Sequence, residues 1–464
     1  MVEPCPVLPD DVLEDILARL PAKSALRCRC LSHAWAARLS SDHFADRHFR
    51  LANRQGGPRI LLLHVRGSRG PKAHMWSPDH PAGRKLMDIP RNLTFDPRKP
   101  GNRIPRLVTQ HCRGLVVLDA TATGIQYVYN PSTGRMSPLP EGRPTGCSSP
   151  SESSKKKYAS LGLGYDEQTA RHIVVRICYR GYYADKLPLD PRCEIYVVNS
   201  SMETGLWRPT RSDRPPAGWV NQHGTSVFAR GHVYWLGQPR LKSPPQEMFI
   251  VSFSLLHETF GAVPPPPALD LGSKSLAEHR LTVLDGHPCL FCNMWPSYDV
   301  YLLREADAWD LRYRIDTSPS RVRKLLPYRD GLQPIASIDD GHRIVLIQPR
   351  SPWLCATSFR LCAYAPATGD AHSLLQADSN ESSNGLLAHK TMALGHAALY
   401  EESILPTGQR HEDIIFAMSL VLRRLPECTL LKIMCVCKTW RAIIQSDRFA
   451  HKRRLMCWHD FIHF

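Results

Sequence analysis

The residues best suited to chemistry are Cys289 and Cys292, a CxxC with His287 just ahead of it. A structural zinc site takes four ligands, normally from two such pairs, and no second pair lies nearby. The two thiols therefore read as buried strand cysteines, and no metal is expected. Gly162, Gly164 and Tyr165 hint at a phosphate-cradling loop, but the third glycine, the lysine and the following helix are missing. They read as a turn at a strand edge. There is no GxSxG, no HExxH and no carboxylate pair with a plausible shared site. The 21 histidines are dispersed, as surface or satisfied core residues would be. Neither a catalytic residue nor a cofactor is expected.

Composition narrows the class further. At 464 residues the chain has room for two or three domains, and 43% hydrophobic with 22% charged is ordinary globular composition. The N-terminal MVEPCPVLPDD lacks a basic stretch followed by an apolar core, and no run reaches the length of a membrane span. An intracellular protein, cytoplasmic or nuclear, is expected, with no membrane partner. In a reducing compartment an odd set of 15 cysteines without disulfide-like spacing reads as free thiols. The net charge of +16 could gather polyanions, but its clusters are short: Lys155 to Lys157, Arg321 to Lys324, and Lys452 to Arg454. Such runs are usually solvated, so nucleic acid is the lesser expectation.

The stretch Leu8 to Phe44 predicts a trio of short helices. Pro9 suits a first helical turn, and Asp10 and Asp11 place negative charge at the positive end of its dipole. Leu13, Ile16, Leu17 and Leu20 fall at i, i+3, i+4 and i+7, one apolar stripe ended by Pro21. Ser24 is a candidate N-cap for a second helix carrying Leu26, Cys30 and Leu31, and a third holds Trp35 and Leu39 before a turn at Ser41 and Asp42. So small a unit buries too little to stand without a partner, which makes docking the expectation.

The helix-starting Leu-Pro, the second Leu-Pro, the Leu, Cys and Trp spacing and the closing Ser-Asp-x-Phe resemble an F-box. That resemblance implies docking on the Skp1 adaptor of a cullin-RING ubiquitin ligase through Leu8, Pro9, Leu13, Ile16, Leu17, Leu20, Pro21, Leu26 and Trp35. Leu31, Ser32 and His33 depart from the Val-Cys-Lys that the family favours.

After Phe49 helical stripes give way to short apolar runs bounded by Gly, Asp or Pro. One pattern recurs: apolar strand, polar turn, returning strand. Its turns lie near Asn130, Asn199, Leu255, Ala306 and Ala367, roughly 50 to 70 residues apart, the spacing of blades in a kelch-like propeller. Closure into an irregular ring of about six blades would leave few exposed strand edges. Gly114 to Leu118, Asn130 to Thr133, Gly164 to Asp166, Trp207 with Arg208, and Val233 to Leu236 resemble, in this order, the plant F-box-associated domain. Trp207 and Trp235 sit in strand patterns and read as blade core. Trp219, Trp295 and Trp353 stand in loop-like sequence and are candidates for a substrate-facing surface.

From Val421 the chain repeats itself. Laid without gaps on Ile16 to Ala45 at an offset of 405, twelve of thirty positions are identical, among them Leu20 and Leu425, Pro21 and Pro426, Trp35 and Trp440, and Phe44 and Phe449. This second copy resembles a degenerate F-box, with Asp413 and Ile414 opposite Leu8 and Pro9. The organisation expected is an F-box over 1-50, a β-propeller-like domain over 57-406 and F-box-like helices over 410-464, mainly β with α ends. The resemblance implies a substrate receptor of an SCF-type ligase, non-catalytic, holding an unknown protein substrate. The alternatives are a scaffold whose F-boxes no longer dock, and a basic nucleic-acid-associated protein.

Overall fold

The computed structural model describes residues 8–54, 57–66, 69–89, 105–120, 124–140, 157–180, 189–198, 207–211, 219–220, 225–238, 250–267, 279–305, 308–326, 332–349, 359–374 and 392–407. The chain divides into two compact units, Met1–Gln55 with Glu402–Phe464, and Gly56–Glu401. The repeat at Val421 to Ala450 lies outside the described residues.

The larger unit is a six-bladed propeller of antiparallel sheets. In chain order the first blade holds β1 (Ile60–Arg66), β2 (Arg69–Ser77) and β3 (His80–Asp88). The second holds β4 (Arg106–Leu107), β5 (Val116–Ala120), β6 (Ile125–Asn130) and β7 (Arg135–Pro138), and the third β8 (Lys157–Asp166), β9 (Arg171–Arg180), β10 (Leu189–Val197) and β11 (Arg208–Pro209). In the fourth, β12 (Trp219–Val220) and β13 (Val227–Ala229) share the edge beside β14 (His232–Gln238), followed by β15 (Ile250–Ser254) and β16 (Thr259–Val263). The fifth runs β17 (His279–Leu284), β18 (His287–Met294), β19 (Ser297–Glu305), β20 (Ala308–Asp316) and leads through helix α5 (Ser320–Leu325) into the sixth, β21 (Gln333–Ile338), β22 (Arg343–Pro349), β23 (Phe359–Ala365) and β24 (Asp370–Ser373). The last strand, β25 (Met392–Leu399), pairs with β1 from Ile60↔Leu399 to Arg66↔Met392 and supplies the missing strand of the first blade. The expected turns near Asn130, Leu255 and Ala367 fall at the same place, between the third and fourth strands of a blade, while Asn199 and Ala306 lie outside the described residues.

Each of the six apolar cores of this unit lies between two neighbouring blades, because alternate side chains of a strand point to opposite sheet faces. Strand β18 shows it plainly: Cys289 and Phe291 enter the core shared with the sixth blade, Leu290 and Cys292 the core shared with the fourth. Cys289 and Cys292 thus face opposite ways, fully buried, and cannot ligate one ion. Trp207 and Trp235 are blade core as expected, and each indole N–H donates to a carbonyl of the preceding blade, Pro140 at 2.7 Å and Leu161 at 3.1 Å. Trp309 repeats the device with Pro264 at 2.8 Å.

Gly162 and Gly164 correct the turn reading. Both lie within β8, where a Cβ on Gly162 would meet the Trp235 ring at 2.4 Å and one on Gly164 would meet Leu255 at 2.5 Å. Glycine is needed here for blade contact. Gly162→Ala should destabilise the propeller by about 1–3 kcal/mol through overpacking, measured by urea denaturation; an unchanged midpoint would contradict the contact.

Buried histidines make the fold acid-sensitive. Burial, with Lys72 and Lys85 beside it, pushes His74 down to about 4, and burial pushes His172 to about 4 while its Nε2 bonds the Cys112 carbonyl at 2.9 Å. His74 also pairs with buried His64 at 2.5 Å. Folded-state pKa values below the unfolded 6.5 mean that only the unfolded chain takes up protons as pH falls. Stability is therefore full above about 6.5 and lost toward about 4, at roughly 1.4 kcal/mol per pH unit for each histidine. Denaturation midpoints should fall between about pH 7 and pH 5, and the slope should flatten in a His172→Gln chain.

Candidate functional site

The smaller unit holds four described helices where three were expected: α1 (Asp10–Ala18), α2 (Ala22–Cys28), α3 (His33–Arg38) and α4 (Asp42–Ala52). Ser24 lies inside α2, which starts directly after Pro21, and so does not cap it. The supposed turn at Ser41 and Asp42 opens α4, with the Ser41 hydroxyl accepting from the Phe44 amide at 3.1 Å. Ser32, one of the departures from the family pattern, caps α3 by accepting from the Trp35 amide at 3.1 Å.

These helices close on a core of Ala18, Ala22, Ala25, Leu26, Leu39, Phe44, Ala45 and Ile404. Leu26 is therefore a core residue, 4% exposed, and is removed from the expected docking set: its side chain faces Phe44 and its neighbours, not solvent. Leu17, Leu20 and Trp35 are half-buried against the same core, and Leu13 is half-buried. Leu8 and Ile16 are exposed at 48% and 45%, and Pro9 and Pro21 are exposed. Val12, between Leu8 and Ile16 at i+4, is also exposed, and with Leu31 was missed by the sequence reading. The apolar residues left to solvent are Val12 and Ile16, one turn apart on α1, and Leu8 ahead of its cap. The i, i+4 spacing was legible; which of two overlapping stripes faces the core was not.

Polar contacts hold α1 in place. The Asp15 carboxylate binds Arg19 at 3.0 Å and Arg47 of α4 at 2.9 Å, and this pairing holds it below the usual carboxylate range. Asp10 binds Arg38 of α3 at 2.8 Å. Arg29 donates twice to the Leu39 carbonyl, at 2.7 and 3.1 Å. Buried His48 bonds the Leu20 carbonyl at 2.9 Å, and burial lowers its pKa.

Residues distant in sequence complete this unit. Pro21 offers α2 no side-chain acceptor, and the Glu402 carboxylate takes that role, accepting from the Ala22 amide at 2.7 Å. Asn53 and Glu402 bond reciprocally, side-chain amide to backbone, at 2.9 and 2.8 Å. Ile404, 3% exposed, fills the core. No local pattern marks these partners. Ile404→Ala should cost about 2–5 kcal/mol locally, seen as faster hydrogen exchange of α1 to α4 with unchanged exchange in β17 to β20; unchanged α1 to α4 would show the contact to be dispensable.

The propeller has two unlike faces. Connections between first and second and between third and fourth strands lie on one face and include the tight turns at Arg230–Gly231 and Asp285–Gly286, whose positive φ suits two-residue hairpins. The chain enters and leaves the ring on that face, where the Tyr400 amide donates to the Arg59 carbonyl at 2.7 Å. The chain leaves each of five blades toward the next from the opposite face, at Ile89, Leu139, Pro264, Thr317 and Leu374. Among the candidate aromatics, Trp295 lies on this long-connection face, 36% exposed. Trp219 is in β12, paired with Gln238, and not in a loop. Trp353 lies outside the described residues.

Comparison with known proteins agrees with both units. The model of the F-box associated beta propeller domain matches residues 84–290, and that of the F-box domain matches 6–46 and again 417–452. F-box protein CPR1 of Arabidopsis thaliana is 27% identical over 352 residues, 73% of this chain and 79% of that protein. An F-box/LRR-repeat protein of the same plant is 28% identical over 264 residues, 56% of each chain. Among the described residues, no helix is long and apolar enough to cross a membrane.

Proposed function

Because the chain belongs to the plant-type F-box proteins with an associated β-propeller, we propose that it is a substrate receptor of an SCF-type ubiquitin ligase. The observation that carries this is the exposed apolar pair Val12 and Ile16 on α1, with exposed Leu8 just ahead of its cap, on a helix whose other side is locked into a packed unit. Exposed apolar residues on so rigid an element are what a helix-docking partner buries, and an F-box docks on Skp1. Leu8, Pro9, Leu13 and Ile16 form the centre of this contact, with Val12 added, and Leu17, Leu20, Pro21 and Trp35 support it at the edge. The propeller then holds a protein substrate on its long-connection face. No step of chemistry is assigned to the chain itself: it raises the effective concentration of substrate beside the ligase.

The second F-box match is the alternative docking unit, and a propeller scaffold without Skp1 is the alternative function. A pull-down separates them. Wild type should retain Skp1, and Val12→Asp/Ile16→Asp should lose it while keeping its melting temperature. Retention by that variant, lost when the chain is ended after Thr407, moves docking to the second copy. Failure of wild type to retain Skp1 leaves the scaffold.

A further inference from the structure

The basic run Arg321 to Lys324, which the sequence suggests is a solvated loop, is helix α5. Val322 and the following Leu326 enter the core between the fifth and sixth blades, which leaves Arg321, Arg323 and Lys324 exposed. Among the described residues none of the three has a salt bridge. The start of α5 is pinned beside Trp295. The Thr317 amide donates to the Pro296 carbonyl at 3.0 Å, its hydroxyl bonds the same oxygen, and α5 begins three residues later. Trp295 stands edge-on to Tyr298, ring centroids 6.4 Å apart, and remains open to solvent on the other side.

Of the carboxylates nearby, Asp299 is buried and binds Arg314 through two bonds of 2.8 and 2.9 Å. Asp316 is exposed, accepts from the Ser318 amide at 2.8 Å and interacts electrostatically with Arg323, so it offsets part of the charge of Arg321, Arg323 and Lys324 and the corner stays net positive.

We propose that Trp295 with Arg321, Arg323 and Lys324 forms a docking surface for an acidic peptide segment of the substrate, which seats an apolar side chain on Trp295. An aromatic anchor with a rim of charge is how protein interfaces divide affinity from steering. Single-stranded nucleic acid calls for a row of aromatics stacking successive bases, and among the described residues this corner exposes a single aromatic, Trp295. The proposal rests on the substrate-receptor reading for its biological meaning, and its test does not depend on Skp1.

The test uses the full chain and fluorescein-labelled short peptides rich in Asp and Glu with one Leu or Phe. Controls are the same peptides with Asn and Gln in place of the acids, and an oligothymidine of equal charge. The acidic peptides should bind, more weakly as salt rises. Trp295→Ala should weaken binding about tenfold or more, and Arg321→Glu/Arg323→Glu/Lys324→Glu should abolish it. Val322 and Leu326 are untouched in both variants, and melting temperatures check the fold; should the triple variant unfold, Arg323→Glu alone must still reduce affinity. Absent binding by wild type, equal binding of the neutral peptides, or variants that bind as wild type does would overturn the proposal. Tighter binding of oligothymidine, lost in the same variants, would replace a protein ligand with a nucleic acid. Skp1 retention by these variants is read in parallel: its loss in every chain, wild type included, with peptide binding intact defeats the receptor reading and leaves the surface standing.

Discussion

Ring closure is the constraint on which the rest depends. Six blades bury their apolar faces only against each other, so a blade without a neighbour on one side would expose a whole core. The pairing of β1 with β25 removes that exposure by supplying from the chain's far end the strand that the first blade lacks. It also brings Arg59 and Tyr400 into hydrogen-bond contact, so the chain leaves the ring where it entered. Segments almost 350 positions apart in sequence, around Asn53 and Glu402, are thereby available to the same small helical unit.

That helical unit illustrates the arithmetic of small folds. Short helices with few apolar residues bury little, and two of them begin after a proline that has no side chain to cap them. Glu402 supplies the acceptor for α2 and Ile404 the missing core volume. With its inner side satisfied in this way, α1 can hold apolar residues in water without collapsing onto them. A binding surface of exposed leucine, valine and isoleucine is stable only on a scaffold that is fixed elsewhere.

Within the propeller, polar groups follow the same logic of neighbour contact. Indole N–H groups of Trp207, Trp235 and Trp309 each reach a carbonyl of the blade before, which for Trp207 and Trp235 satisfies the donor of a buried side chain. Gly162 and Gly164 are the counterpart on the receiving side, leaving room for Trp235 and Leu255. The tight turns collect on one face and the long connections on the other because antiparallel strands of four return the chain to opposite ends in alternation.

What the sequence determined by itself was whatever repeats or has local period: a ring of short-stranded blades, the turns near Asn130, Leu255 and Ala367, the burial of Trp207 and Trp235, the helical period of α1, and the duplicated F-box pattern. These are legible because strand and helix period, turn chemistry and identity between copies depend on near neighbours. Tertiary structure alone decided the rest. It turned Leu26 inward and Val12 outward, made Gly162 a contact and not a turn, put Cys289 and Cys292 on opposite sheet faces, and joined Glu402 and Ile404 to helices at the other end of the chain. Each of these depends on which surface a distant segment covers, and a pattern of apolar spacing carries the period of a face but not the identity of what packs on it.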